Sequence, residues 1–193
     1  MNHQEFLDLI SESTEARSLE ALENEHGLAM AICTQDGPLE GATSLHWSGH
    51  RNYSELTKRL INLGVDINTN ECKWGNHSTP LQWAADAGKP ETCQILVDNG
   101  AKIDYHEGNG FTALHSCAWG GSSGGSRDPE GYAKTAKVLL EAGFDKNGPG
   151  PSFSALTMAL HVKNQSVVKV LENVGAIHVY DDPKIRETMK EWK

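Results

Sequence analysis

The sequence predicts an all-α solenoid of stacked helix-turn-helix units joined by hairpin loops. Two observations lead there. Four similar segments surround Leu45, Leu81, Leu114 and Leu156: GATSLHWSG, HSTPLQWAA, GFTALHSCA and SFSALTMAL. Each is followed by a second helical stretch that ends at a glycine, namely Gly64, Gly100, Gly143 and Gly175. Leucine to glycine is 19 residues in the first, second and fourth units and 29 in the third. Glycine to the next leucine is 17, 14 and 13. Recurrence at that period marks repeated supersecondary units.

Composition agrees. The 193 residues are enough for a substantial core. With glycine counted and tyrosine left out, the apolar share is roughly 46%, a globular value. The net charge of −9 argues against a general nucleic-acid or anionic-membrane surface. Residues 1–36 carry eight acidic groups and one basic, so most of the acidity belongs to the N-terminal end. A solvated outer face there accounts for it. The start, MNHQEFLDLISES, lacks the basic flank and apolar run of a secretory signal. No stretch approaches the roughly 18 apolar residues of a membrane span. Cys33, Cys72, Cys93 and Cys117 are too sparse for a disulfide scaffold and suit a reduced, cytoplasmic protein.

The elements follow in order. Residues 3–27 have helical spacing in Phe6, Leu7, Leu9 and Ile10, then Leu19 and Leu22, and read as a divergent capping helix pair. Thr43, Thr79, Thr112 and Ser154 stand where the first helix of each unit needs an N-cap. Pro80 suits the first helical position, whose amide is unpaired anyway. Leu60/Ile61, Leu96/Val97, Leu139/Leu140 and Val170/Leu171 supply the buried side of each second helix. The closing glycines fit left-handed C-caps. In the third unit ten extra residues, within GGSSGGSRDPEGY at 120–132, separate the two helices. Asp128 then caps, with Pro129 at the first position. Residues 183–191 read as a closing helix. One helix pair cannot bury its apolar surface alone, so the units stack.

These motifs resemble the ankyrin repeat. Thr79-Pro80-Leu81-Gln82-Trp83-Ala84-Ala85 is similar to the family's T-P-L-H-x-A opening, with Gln82 in place of His. Thr43-Ser44-Leu45-His46 and Thr112-Ala113-Leu114-His115 keep Thr, Leu and His. Gly64-Val65-Asp66-Ile67-Asn68 and Gly100-Ala101-Lys102-Ile103-Asp104 resemble the family's G-A-D-V-N ending. The resemblance covers roughly residues 37 to 180. It implies one repeat domain: N-terminal capping helices at 1–36, repeats at 37–70, 71–106, 107–148 (with an insertion at 120–131) and 149–180, and a C-terminal capping helix at 181–193.

The resemblance also implies a function. Ankyrin arrays are recognition modules that bind proteins by a concave groove of loop tips and first helices. Trp74, Phe111 and Phe153 fall at predicted tips, and His50, Asp86, Trp119 and His161 share one late position in the first helices. With Arg51 beside His50, these are the candidate partner-binding residues. Trp47 and Trp83 share a position nearer the core and read as packing. His46 and His115 occupy the signature position, where the family uses His to hold the adjoining loop. LINLGVDIN resembles a target of asparaginyl hydroxylation at Asn68, although the same residue serves a turn.

The expected partner is a protein, with no nucleic acid, membrane, cofactor or metal implied, and the chain is expected to be monomeric when unbound. A narrower reading is an inhibitor or immunity protein that occludes a toxin or enzyme. A remote one is an enzyme with its site in the 120–132 loop. That loop, however, has no preceding strand, no G-K-[ST] and only an imperfect G-x-S-x-G. Its Arg127 and Tyr132 are candidate contacts. Cys72 and His77 share a loop, but two ligands make no metal site.

Overall fold

A computed structural model describes residues 1–37, 39–70, 78–103, 105, 111–120, 128–148 and 154–178. Among these, regular structure is ten α-helices and one 3-10 helix, with a single antiparallel bridge between Ile32 and Thr43. The all-α class expected from the sequence is observed. The predicted helix at 183–191 and most of the 120–131 insertion lie outside the described residues. The chain divides into two compact units. One is Met1–Ala84 with Glu91–Lys102, and the other is Ala85–Pro90 with Ile103–Lys193.

The first unit opens with α1 (His3–Glu12) and α2 (Glu15–Asn24), then the 3-10 turn His26–Met30. A reciprocal cap starts α1: Glu5 N–H donates to Asn2 Oδ1 and Asn2 N–H to Glu5 Oε2, both at 2.9 Å. Phe6, Leu7, Ile10, Leu22 and Leu28 are fully buried, while Leu9 and Leu19 are half-buried. Residues Ala31–Cys33 pair with 41–44 as a hairpin leading into α3 (Ser44–Arg51), and α4 (Ser54–Asn62) packs back on α3. The capping helices are fastened by their own acid. Glu15 Oε1 accepts Glu55 N–H at 2.7 Å and Leu56 N–H at 3.0 Å, at the first turn of α4. Tyr53 Oη donates to Ser13 O at 2.5 Å. The acidity of residues 1–36 is therefore not solely a solvated face.

The second-repeat helices are α5 (Pro80–Asp86) and α6 (Pro90–Asp98). In the second unit α7 (Ala113–Trp119) packs on α8 (Pro129–Glu141) and on α9 (Ala155–His161), and α10 (Gln165–Asn173) packs on α8 and α9. Asp128 accepts Gly131 N–H at 2.9 Å and Pro129 opens α8, as the sequence predicts.

The first helices share one device. Thr43 N–H donates to His46 Nδ1 at 3.1 Å, and Thr112 N–H to His115 Nδ1 at 3.2 Å. In α5 the amide oxygen of Gln82 takes the same bond from Thr79 N–H at 2.8 Å. The departure from the His pattern thus preserves the cap. His46 accepts at Nδ1, so its proton sits on Nε2, which donates to Ser78 O at 2.9 Å. In α9 Ser154 Oγ accepts Thr157 N–H and donates to Ile177 O at 2.9 Å.

The second helices share another. Gly64, Gly100, Gly143 and Gly175 all have positive φ, between 68° and 97°. Each lets the next amide reach back into its helix. Val65, Ala101, Phe144 and Ala176 donate to the carbonyls of Leu60, Leu96, Leu139 and Leu171. Those four leucines are fully buried. Beyond the caps, Asn68 Oδ1 accepts Lys102 N–H and Asn147 Oδ1 accepts Ile177 N–H, both at 2.8 Å. Asn68 therefore has the turn role foreseen for it, tying its loop to the next.

One expectation is corrected. Tyr132, a candidate surface contact, is only 3% exposed, and its hydroxyl donates to Asp86 O at 2.9 Å. The ring also fills the space a side chain would need at Gly88 and Gly120. It sits on the first turn of α8 and is drawn inward with its helix.

Two outcomes are expected. Glu15→Ala should lower stability by about 1–2 kcal/mol in urea unfolding, since two first-turn amides of α4 lose their acceptor. His46 is the pH-dependent case, because burial depresses its pKa from 6.5 to about 4. The unfolded chain takes a proton that the folded chain refuses, so stability falls as pH drops from about 6.5 to about 4. His46→Gln keeps the cap, as Gln82 does, and removes that proton. Between pH 7 and pH 5 the native chain should lose about 2 kcal/mol more than the variant.

Candidate protein-binding surface

In the first unit the candidates are His50 and Arg51, at the end of α3. The His50 ring lies edge-on to Trp47 and Trp83, with centroids 6.4 and 6.1 Å away. Trp47 and Trp83 cross at 5.3 Å and 81°, and His46 meets Trp83 at 5.2 Å. Trp83 is 3% exposed and Trp47 half-buried. Both indoles pack, and they hold half-buried His50 within an aromatic cluster. Arg51 is exposed, with its guanidinium 5.6 Å over the Tyr53 ring. Trp74 lies outside the described residues.

In the second unit Asp86, Trp119 and His161 are the last residues of α5, α7 and α9. Each stands seven positions after its N-cap residue, so the shared position read from the sequence is a true register. The helix ends are joined by backbone contacts. Gly120 backs onto Asp86 O so closely that an added Cβ would collide with it. Asn164, just after α9, donates from Nδ2 to Cys117 O and Gly120 O, both at 3.3 Å. Trp119 is 42% exposed and His161 is exposed. Phe111 is half-buried against His115, ring centroids 5.5 Å apart, so it covers its own repeat's signature histidine. Phe153 lies outside the described residues.

Asp86 differs from its neighbours electrostatically. Burial pushes its carboxyl up from 3.8 to about 6. Its charge in turn raises the Cys117 thiol and the Tyr132 phenol, each already raised by burial. Cys117 is fully buried, with Sγ 3.5 Å from Tyr132 O, so its sulfur is held as an unreactive thiol. Sequence reasoning found the register of Asp86 but not its desolvation. Nor did it find the Tyr132 hydroxyl, 46 residues away, on the Asp86 carbonyl, where only the small residues Gly88 and Gly120 hinted at a ring seated between them.

Among the described residues no three His, Cys, Asp or Glu side chains gather as a metal site would require, and no helix is long and apolar enough to cross a membrane. Of the 120–132 loop, where the enzyme reading places its site, residues 121–127 lie outside the described residues.

A family model described as ankyrin repeats in three copies matches residues 45–148. The ankyrin repeat domain-containing protein SAT10 of Stachybotrys chartarum is 28% identical over 153 residues, 79% of this chain and 7% of that protein. A transient receptor potential cation channel subfamily A member 1 homolog of Caenorhabditis elegans is 39% identical over 82 residues, 42% of this chain and 6% of its own. Protein phosphatase 1 regulatory subunit 12A of Mus musculus is 45% identical over 75 residues, 38% of this chain and 7% of that one. The chain spans less than a tenth of the length of these relatives. Ankyrin repeats generally mediate protein–protein interaction. With the reciprocal caps, the glycine-closed second helices and a match over more than half its residues, the chain belongs to the ankyrin repeat family.

Proposed function

We propose that the chain is a non-catalytic module that binds a protein partner through the ends of its first helices and its loop tips. The observation that carries this reading is Trp119. A large indole, 42% exposed at a helix end, leaves apolar area in water that its own fold could have covered. It stands in register with Asp86 and His161. An aromatic anchor with charged neighbours is the usual core of a binding hot spot. His50, Arg51, Trp74, Phe111 and Phe153, the other candidates read from the sequence, are further partner contacts in this reading. A relative named a regulatory subunit accords with a role exerted by occupying a surface.

The test is affinity capture, identification of the partner, and calorimetry with both proteins purified. Trp119→Ala should weaken binding at least tenfold, about 1.4 kcal/mol, with an unchanged helical circular-dichroism spectrum. Trp74→Ala/Trp119→Ala should weaken it further. Undiminished affinity in the double variant would overturn the reading.

A further inference from the structure

We infer that the face of the fourth repeat directed away from the third is an interaction surface taken by the chain's own residues 179–193, with Ile185, Met189 and Trp192 seated over Leu160 and Ile177.

Register marks this face as one that is covered. Leu160 is the sixth residue after Ser154, as Gly49, Ala85 and Ala118 are after Thr43, Thr79 and Thr112. Those three small residues are buried. At Gly49 the reason is direct, since an added Cβ would press on Pro80 O and Ala84 of the following first helix. The position therefore points toward whatever comes next along the stack. Leu160 points the same way and is 37% exposed. A leucine needs more room than glycine or alanine, so its cover stands further off than one repeat does from the next.

The closing segment agrees. Ile177 is the second residue after Gly175, where the earlier repeats carry Asp66, Lys102 and Asp145, each exposed. The fourth repeat puts a large apolar side chain there, 43% exposed, with Val174 exposed three residues before it. Exposed Glu172, in turn, replaces the half-buried Ile61, Val97 and Leu140. The face is apolar along the first helix and the closing segment and polar along the second helix. That pattern suits one covering helix and not a pair.

Length and spacing name the occupant. Ser154 Oγ donates to Ile177 O at 2.9 Å and holds Ile177 at the start of α9. Leu160 stands six residues further along, about 9 Å at the helical rise. Ile185, Met189 and Trp192 recur at i, i+4 and i+7, one helical face about 10 Å long. Asp182-Pro183 ahead of them repeats the Asp128-Pro129 pair that opens α8. Residues 179–182 can reach about 14 Å from His178, enough to deliver that face to α9. Thr79, Thr112 and Ser154 stand 15, 12 and 11 residues after the preceding closing glycine, whereas Asp182 stands 7 after Gly175, too few for another repeat's hairpin. A segment tethered this closely acts at about millimolar effective concentration, so a free protein would have to displace it.

The experiment uses the full chain, labelled with 15N and with 13C at the Ile, Leu and Val methyls. The Trp192 resonances are assigned with Trp192→Phe, and the methyls with Leu160→Ile and Ile177→Val. Nuclear Overhauser cross-peaks should join the Trp192 ring to the methyls of Leu160 or Ile177. In Ile185→Asp/Met189→Asp they should vanish, and the α9 amides should exchange with solvent about tenfold faster. Ile185→Leu/Met189→Leu should keep both. Lack of any cross-peak from Ile185, Met189 or Trp192 to those methyls in the native chain would overturn the inference, whether or not the aspartate variant folds. Cross-peaks found only between differently labelled chains in a mixed sample would also overturn it, because a second copy would then fill the face.

Discussion

A reciprocal pair of hydrogen bonds at the start of α3, α5 and α7, and the Ser154 cap alone at α9, set the position of almost everything else. α5, α7 and α9 have seven residues, barely two turns, too short to hold together by backbone bonds alone. The residue three places into the helix returns its side chain to the N-cap amide and so fixes where the helix begins. His46, Gln82 and His115 do this with different acceptor atoms in the same place. Once the start is fixed, the seventh residue is fixed too. Asp86, Trp119 and His161 occupy one row because their caps do. His46 serves twice, since its other nitrogen holds Ser78, 32 residues on.

The parts of the fold legible in the sequence are those set by local chemistry. Thr43 and Thr112, the four closing glycines, and Asp128 followed by Pro129 each announce a backbone state within three or four residues. The register of Asp86, Trp119 and His161 was legible for the same reason. Contacts across 40 residues or more were not. Nothing in the sequence marks Glu15 as the acceptor for the first turn of α4, because a glutamate on a surface helix looks the same whether or not it has a partner. Tyr132 misled, since its place beside a glycine-rich stretch suggests exposure, whereas the pull comes from Asp86 on another repeat.

Charge shows the same division between count and placement. Residues 1–36 have a net charge of −7, and the remaining 157 residues −2. Within the first group Glu5 closes a cap and Glu15 fastens one helix to another, whereas Glu12, Glu20 and Glu23 are exposed. The chemically informative carboxylate, Asp86, belongs to the nearly neutral part. Its environment, and not the number of acids around it, shifts its proton equilibrium.

Within the stretch that holds the ten extra residues, Gly120 and Asp128 flank the seven residues 121–127, and both flanking points are locked. Gly120 is pressed between the Asp86 carbonyl and the Tyr132 ring, while Asp128 is spent on the Gly131 amide. The framework therefore fixes the residue on each side of 121–127. For protein engineering that is the description of a permissive graft point. A foreign epitope or peptide spliced between the two anchors would inherit a defined take-off and landing, provided the glycine and the aspartate are left in place.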